Sequence, residues 1–249
     1  FVMAPMVHWP EVMVTYESSE KVLFSADGFG KFGALSLTEN ADWACEARRY
    51  YFNIVGKYGA PVQTLLKKAS ALDIKTICPL HGPVLSDNLG YYLDLYNTWS
   101  SYQPESKGVF IAYASIHGNT AYAAEQFAEM LRNKGVDNVV ITDLSRCDIA
   151  EAVEDAFRYD RMVLAAASYD AGVFPIMQDF LHHLQSKAYQ NRTIGLIENG
   201  SWAPTAAKTM RSILDTMKNI TIVEPVVTIK SVLKETDIPA LDQLADALK

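Results

Sequence analysis

The chain has 249 residues, of which 49% are hydrophobic and 20% charged, with a formal net charge of -7. That length holds one large domain or two small ones with sound cores, and the composition is that of an ordinary soluble globular protein. The acidic balance, with no Lys/Arg cluster, argues against a nucleic-acid partner, and apolar runs no longer than a strand exclude a membrane span. Cys45, Cys78 and Cys147 are odd in number, far apart and form no C-x-x-C pair, which fits reduced thiols in a cytoplasmic protein. Phe1 opens the chain inside a strand-like stretch with no initiator or signal peptide, so residues upstream of it are expected.

Residues 1–27 read as short extended segments, F-V-M-A-P-M, V-M-V-T-Y-E and K-V-L-F-S-A-D, two of which predict a hairpin. Gly28, Gly30 and Gly33 then end the strand pattern in a loop. The spacing of Trp43, Ala47, Tyr50, Tyr51 and Ile54 predicts a helix over 39–55, with Gly56 as its C-cap. A second helix is expected over 61–72, opened by Pro61. The segment I-K-T-I-C-P-L-H-G-P gives one short strand running into a loop at His81, and a helix follows over 87–99. Residues 100–106 are turn-forming and poor in apolar side chains, which marks a domain boundary.

Beyond it the pattern is regular. Strand-like runs at 109–114, 139–144, 162–167, 193–197 and 220–229 alternate with helical patterns near 120–134, 149–159, 175–187 and 204–217, and 239–248 follows the last. Asp148 with Glu151 has the form of a capping box, and Phe127, Ala128 and Leu131 make an apolar helix stripe. Mostly apolar strands alternating with helices predict a doubly wound five-stranded parallel sheet buried on both faces.

Ligands of such sheets bind beyond the carboxyl ends of the strands. Three loops fall there. In K-G-V-F-I-A-Y-A-S-I-H-G-N-T-A-Y a buried strand breaks into Ser115, Ile116, His117, Gly118, Asn119 and Thr120, and a helix then starts, whose free N–H groups and dipole suit a phosphate. The second loop is Ser168, Tyr169, Asp170, Ala171 and Gly172, running on through Val173 and Phe174 to Pro175. The third is Glu198, Asn199, Gly200, Ser201 and Trp202, followed by Ala203 and Pro204. Tyr169 and Trp202 either flank a flat ring or pack within their own loops. Three unusual loops on one sheet edge favour the ring, and a phosphate joined to a flat redox-active ring describes FMN. No G-x-G-x-x-G is present, which excludes a Rossmann dinucleotide site. Residues 107–249 resemble a flavodoxin domain, with S-I-H-G-N-T in place of the family's T-x-T-G-x-T phosphate loop. Ser115 replaces the first Thr and retains the hydroxyl.

In the first half, His8 in P-M-V-H-W-P, Asp27 in F-S-A-D-G-F-G and His81 in P-L-H-G-P each end or follow an apolar strand beside Pro or Gly. Two imidazoles and a carboxylate suit Fe or Zn, while each taken alone is also an ordinary loop residue satisfied by backbone hydrogen bonds. The segments H-W-P-E-V-M-V-T-Y, L-F-S-A-D-G-F-G and L-H-G-P, in this order and ahead of a flavodoxin domain, resemble the carboxyl-terminal part of the flavodiiron proteins, also called A-type flavoproteins. The resemblance implies an α/β fold in which residues 1–100 are part of a metallo-β-lactamase-like αββα diiron domain and residues 107–249 are the FMN-binding domain. It further implies that His8 and His81 are terminal iron ligands and that Asp27 bridges two irons. The family's H-x-E-x-D-H motif is absent here and is expected upstream of Phe1, so this chain alone is expected to hold only part of a diiron site. Glu11 is read as a supporting or surface side chain and His117 as a phosphate-loop side chain. His182 and His183 receive no role.

For function, the resemblance implies a cytoplasmic oxidoreductase reducing dioxygen to water or nitric oxide to nitrous oxide, with electrons passing through FMN to iron. A rubredoxin-like donor and a head-to-tail homodimer are implied with it. Two rival readings are an FMN electron-transfer module without a working metal site and a metallo-β-lactamase-type hydrolase. The hydrolase is disfavoured because its flavin would have no use.

Overall fold

The computed structural model describes residues 1–34, 36 and 42–249. They divide into two compact units, residues 1–103 and 104–249. Among the described residues no helix is long and apolar enough to cross a membrane.

In the first unit β1 (Val2–Met3), β2 (Met13–Glu17), β3 (Val22–Phe24) and β4 (Thr76–Cys78) form one sheet in that order. The β1–β2 and β2–β3 pairs are antiparallel and β3–β4 is parallel. Because successive side chains alternate across a strand, Val14, Leu23 and Ile77 are buried while Met13 and Phe24 on the other face are 48% and 51% exposed. Asp42 caps the helix Trp43–Tyr50 by accepting from Ala44 N at 3.1 Å. Residues 39–41 of the expected helix lie outside the described residues. Gly56 caps the turn that ends at Val55, where its position suggested, but its φ of -33° is right-handed and does not stop the helical run. The chain instead continues through a π turn (Tyr51–Val55) and a 3₁₀ turn (Gly56–Tyr58) into the helix Gly59–Ala69, so two expected helices form one helical run.

Aromatic side chains fill this unit's core. Trp43 stacks on Trp99 with centroids 6.0 Å apart, and Tyr96, from the helix Leu89–Ser100, stacks on Phe29 at 4.2 Å. The buried Tyr96 hydroxyl also accepts from Phe29 N at 2.6 Å, which ties the loop after β3 to the core.

The second unit carries five parallel layers of strand: β5 (Ser106–Ala114), β6 (Val139–Asp143), β7 (Tyr159–Tyr169), β9 (Arg192–Asn199) and a fifth position shared by β10 (Ile220–Ile222) and β11 (Val227–Ile229). Their spatial order is β10-β9-β7-β5-β6, with β11 also on β9, and each of these pairs is parallel. Counted along the chain this is the 2-1-3-4-5 order, whose switch point lies between the first and third strands. The expected strand over 220–229 is interrupted around Pro225, which has no N–H to give to a ladder. A short strand that the sequence did not suggest, β8 (Gly172–Val173), pairs back on β7.

Helices cover both faces. Asn119–Asn133 packs Ala123, Ala124, Phe127, Ala128 and Leu131 against Val109, Ile111 and Val163, alongside Leu241 and Leu244 of Ile238–Ala247. On the opposite face Phe110 meets Phe180 of the helix Pro175–Ser186 at 6.4 Å. Each fully buried Phe or Leu contributes about 1.5–3 kcal/mol relative to an exposed one, so these interleaved faces fix the strand register. Asp148 caps the helix Ile149–Arg158 through Ala150 N at 2.9 Å, as its spacing suggested.

Candidate functional site

The carboxyl ends of β5, β7 and β9 surround a cavity of ≈ 500 Å³. Ser115, Ile116, His117, Asn119 and Thr120 line it from the first loop, Ser168, Tyr169, Asp170 and Ala171 from the second, and Asn199, Gly200, Ser201 and Trp202 from the third. Gly118 and Gly172, expected with them, are not among the lining residues. Gly118 has φ +87° at the N-cap of Asn119–Asn133, a conformation that suits glycine, and Gly172 pairs with Tyr169 in β8. Gly118 N donates to Ser115 Oγ at 3.1 Å, which closes the first loop on itself.

Two helices have their start, Asn119 with Thr120 or the N-cap Thr205, on the cavity surface, and the first of them is open to a ligand. Ser168 Oγ accepts from Thr205 N at 2.8 Å and from Ala206 N at 3.2 Å, and Glu198 Oε2 accepts from Ala207 N at 2.9 Å. These groups occupy the start of the helix Ala206–Leu214. The helix Asn119–Asn133 has no side-chain cap, so its free N–H groups and positive dipole end remain available to an anion. At the cavity mouth Trp202 is 88% exposed and Tyr169 45% exposed. Large rings left uncovered beside a polar cradle fit an aromatic ligand. Asp170 and Ala171, with φ +46° and +56°, form the two-residue turn from β7 into β8. Holding an alanine there costs about 1–2 kcal/mol, strain of the kind that clusters at ligand sites.

Ala167, Ala203, Thr205 and Ser231 also line the cavity and were not singled out from the sequence. Ser231 follows β11, and the rule that placed the other three loops at this edge applies to the fifth strand position as well.

In the first unit His8, Asp27 and His81 meet. His8 Nε2 lies 3.4 Å from Asp27 Oδ2, and His81 Nε2 lies 3.5 Å from Asp27 Oδ1, so one carboxylate links both rings. They share a cavity of ≈ 520 Å³ with Lys31, Phe32, Tyr50 and Leu80. Asp27 sits just beyond β3 and His81 just beyond β4, the two parallel strands, while His8 comes from the turn ahead of β2. Gly30 permits the approach, since a Cβ there would stand 3.1 Å from both His81 O and the Tyr50 ring. Tyr50 donates to Asp27 Oδ1 at 3.2 Å. Burial first, and the Asp27 charge second, push the Tyr50 hydroxyl far above its usual range, so it stays a donor. The three residues approach a metal site without completing one. Among the described residues no group of three or more His, Cys, Asp or Glu side chains is arranged to hold a metal ion. Glu11 is exposed and His183 lies 3.7 Å from Asp179 in its own helix.

Similarity to known proteins follows the same division. A family model described as Flavodoxin domain matches residues 110–230. An uncharacterised protein of Methanocaldococcus jannaschii is 31% identical over 194 residues, covering 74% of this chain and 47% of that protein. A nitric oxide reductase of Moorella thermoacetica is 27% identical over 246 residues, covering 96% of this chain and 61% of that protein. Among solved structures, rubredoxin oxygen:oxidoreductase from Desulfovibrio gigas superposes with a TM-score of 0.89 at 23% identity, covering 99% of this chain and 63% of that one. The flavodiiron protein of Giardia intestinalis gives 0.87 at 21%, covering 99% and 62%. The chain thus spans about half the length of the curated relatives it matches.

The second unit is a flavodoxin domain of the doubly wound α/β class. The resemblance to the flavodiiron proteins, stated above from three short segments and a phosphate loop, holds over the whole chain, and the fold is theirs.

Proposed function

We propose that this chain is the flavin-bearing part of a flavodiiron-type oxidoreductase that reduces dioxygen to water or nitric oxide to nitrous oxide. The observation that carries the reading is the second-unit cavity, with an uncapped helix start at one end and the exposed rings of Tyr169 and Trp202 at its mouth. FMN matches that donor set: its phosphate belongs at Ser115 to Thr120, and its ring beside the loops 168–172 and 199–202. Bound there, FMN supplies one- and two-electron transfer. The chain's own residues hold and orient it. The helix start and the Ser115 and Thr120 hydroxyls would donate hydrogen bonds to the phosphate, and the aromatic loops would limit water around the ring.

His8, Asp27 and His81 are proposed as part of an iron-binding set, supported by their convergence on one carboxylate. Two imidazoles and one carboxylate cannot fill the coordination spheres of two irons, so chemistry at iron needs ligands beyond these three. The names of the similar proteins support nitric oxide or dioxygen as substrate and a rubredoxin as donor. A head-to-tail homodimer and a cytoplasmic location belong to the same proposal. The test is to load the protein with FMN and ferrous iron in the presence of the polypeptide segment that supplies the further iron ligands, and to follow dioxygen and nitric oxide consumption with a reduced rubredoxin as donor. Consumption of either gas is expected, and none of either overturns the reading.

The second reading is an FMN electron-transfer module without a working metal site. It predicts stoichiometric flavin and no iron in the same preparation.

A further inference from the structure

The fourth wall of the flavodoxin cavity is the turn at Ser231, and a side chain ties it to the third loop. Asn199 is 7% exposed and lies on the cavity surface. Its Nδ2 donates to Ser231 O at 2.8 Å, and its Oδ1 accepts from Ser231 N at 3.1 Å. The carboxamide therefore copies a backbone pair and extends the β9–β11 ladder one step past Ile229, where Gly200 N already donates to Ile229 O at 3.0 Å. A last link joins Ser201 Oγ and Ser231 Oγ at 3.0 Å. Ser231 has φ +65°, a left-handed conformation that a non-glycine residue keeps only when its surroundings impose it. Asn199 supplies that constraint through both of its polar atoms.

We propose that Asn199 is a positioning residue for the ring side of the cavity, latching the loop that carries Trp202 to the turn at Ser231 so that both walls stand ready before a flavin arrives. The proposal rests on the FMN reading above. Without the latch, two cavity-lining segments must be ordered during binding, and that ordering is drawn from the affinity. The phosphate end is untouched, because Ser115 to Thr120 belong to a different loop with its own closing bond. The latch therefore acts equally on FMN and on riboflavin, which has the same ring and no phosphate.

The experiment titrates the full chain and its Asn199→Ala variant with FMN and separately with riboflavin, by quenching of flavin fluorescence. The visible circular dichroism of the bound flavin is recorded alongside. About a tenfold loss is expected for both ligands, the size expected when one or two side chains must be immobilised on binding, together with a changed flavin dichroism band. Unchanged binding of both ligands, or a loss confined to FMN, overturns the proposal. Should Asn199→Ala fail to fold, Asn199→Asp keeps the volume and the acceptor while removing the donor to Ser231 O, and the same equal loss is required of it. A wild-type chain that binds neither flavin defeats the FMN reading itself, which separates that failure from failure of the latch.

Discussion

The two candidate-site cavities, one in each unit, are similar in volume and differ in how they are built. The second-unit cavity takes its walls from loops at one edge of a parallel sheet, and those loops are tied by their own hydrogen bonds, Ser115 to Gly118, Ser168 to Thr205, Asn199 to Ser231. The first-unit cavity gathers His8, Asp27 and His81 from three separated segments around a single carboxylate, and among the described residues no further His, Cys, Asp or Glu joins them in a metal-holding group. A repeated strand–helix topology delivers successive loops to one sheet edge, so a shared cavity follows from local chain chemistry. A site assembled from distant segments has no such local rule, and here three side chains converge on one carboxylate.

The largest expected effect sharpens that contrast on the flavodoxin side. A Cβ at Gly118 meets nothing within 4 Å, so space is not what favours glycine there; the φ of +87° is. Gly118→Val puts a branched residue into a left-handed conformation at a cost of roughly 2 kcal/mol, or the loop relaxes away from its cradle, and FMN affinity falls about thirtyfold. His81→Ala in the other unit leaves that affinity unchanged. Flavin fluorescence titrations of the two variants check both statements, and equal losses would break the comparison.

A smaller effect probes the first unit. Tyr50→Phe removes the buried hydroxyl that donates to Asp27 Oδ1 and leaves the carboxylate short of one partner. A hydrogen bond to a charged group is worth about 1.5–3 kcal/mol, so denaturant unfolding of the first unit should move by about that amount while flavin affinity in the second stays the same.

How much of this was legible in the sequence follows the same division. The five-strand alternation, the three loops and the helix starts at Asp148 and Asn119 could be read directly, because apolar runs and capping residues are local signals. Ser231 escaped notice although the expected strand over 220–229 and β11 both end at Ile229, because only the loops after the first, third and fourth strands were read as ligand loops. In the first half Gly56 looked like a helix stop, yet the packing of Tyr51, Tyr96 and Trp99 carries the helical run straight through it. His8, Asp27 and His81 had no regular spacing to connect them; only likeness of short segments suggested that they meet. Tyr50, the donor to Asp27, gave no sign beyond its helical spacing.

The smallest effect is electrostatic. Hydrogen bonds from Lys134 and then from Lys249 hold the Asp246 carboxyl below its usual range. A lowered folded-state pKa gives stability that is present above the ordinary carboxylate value and is lost as pH falls through the lowered one. All three groups face solvent, so salt screens the gain. Asp246→Asn should therefore lower the thermal midpoint slightly near neutral pH in dilute buffer, and leave it unchanged in acid or at high salt.

In the proposed function, the open helix start at Asn119, between the loops of β5, β7 and β9, holds the phosphate of a flavin mononucleotide. The most direct measurement is a fluorescence titration of the purified chain with FMN and with riboflavin. One FMN per chain, bound with strong quenching and more tightly than riboflavin, is the predicted result. No saturable FMN binding, or equal affinity for the two, would contradict it.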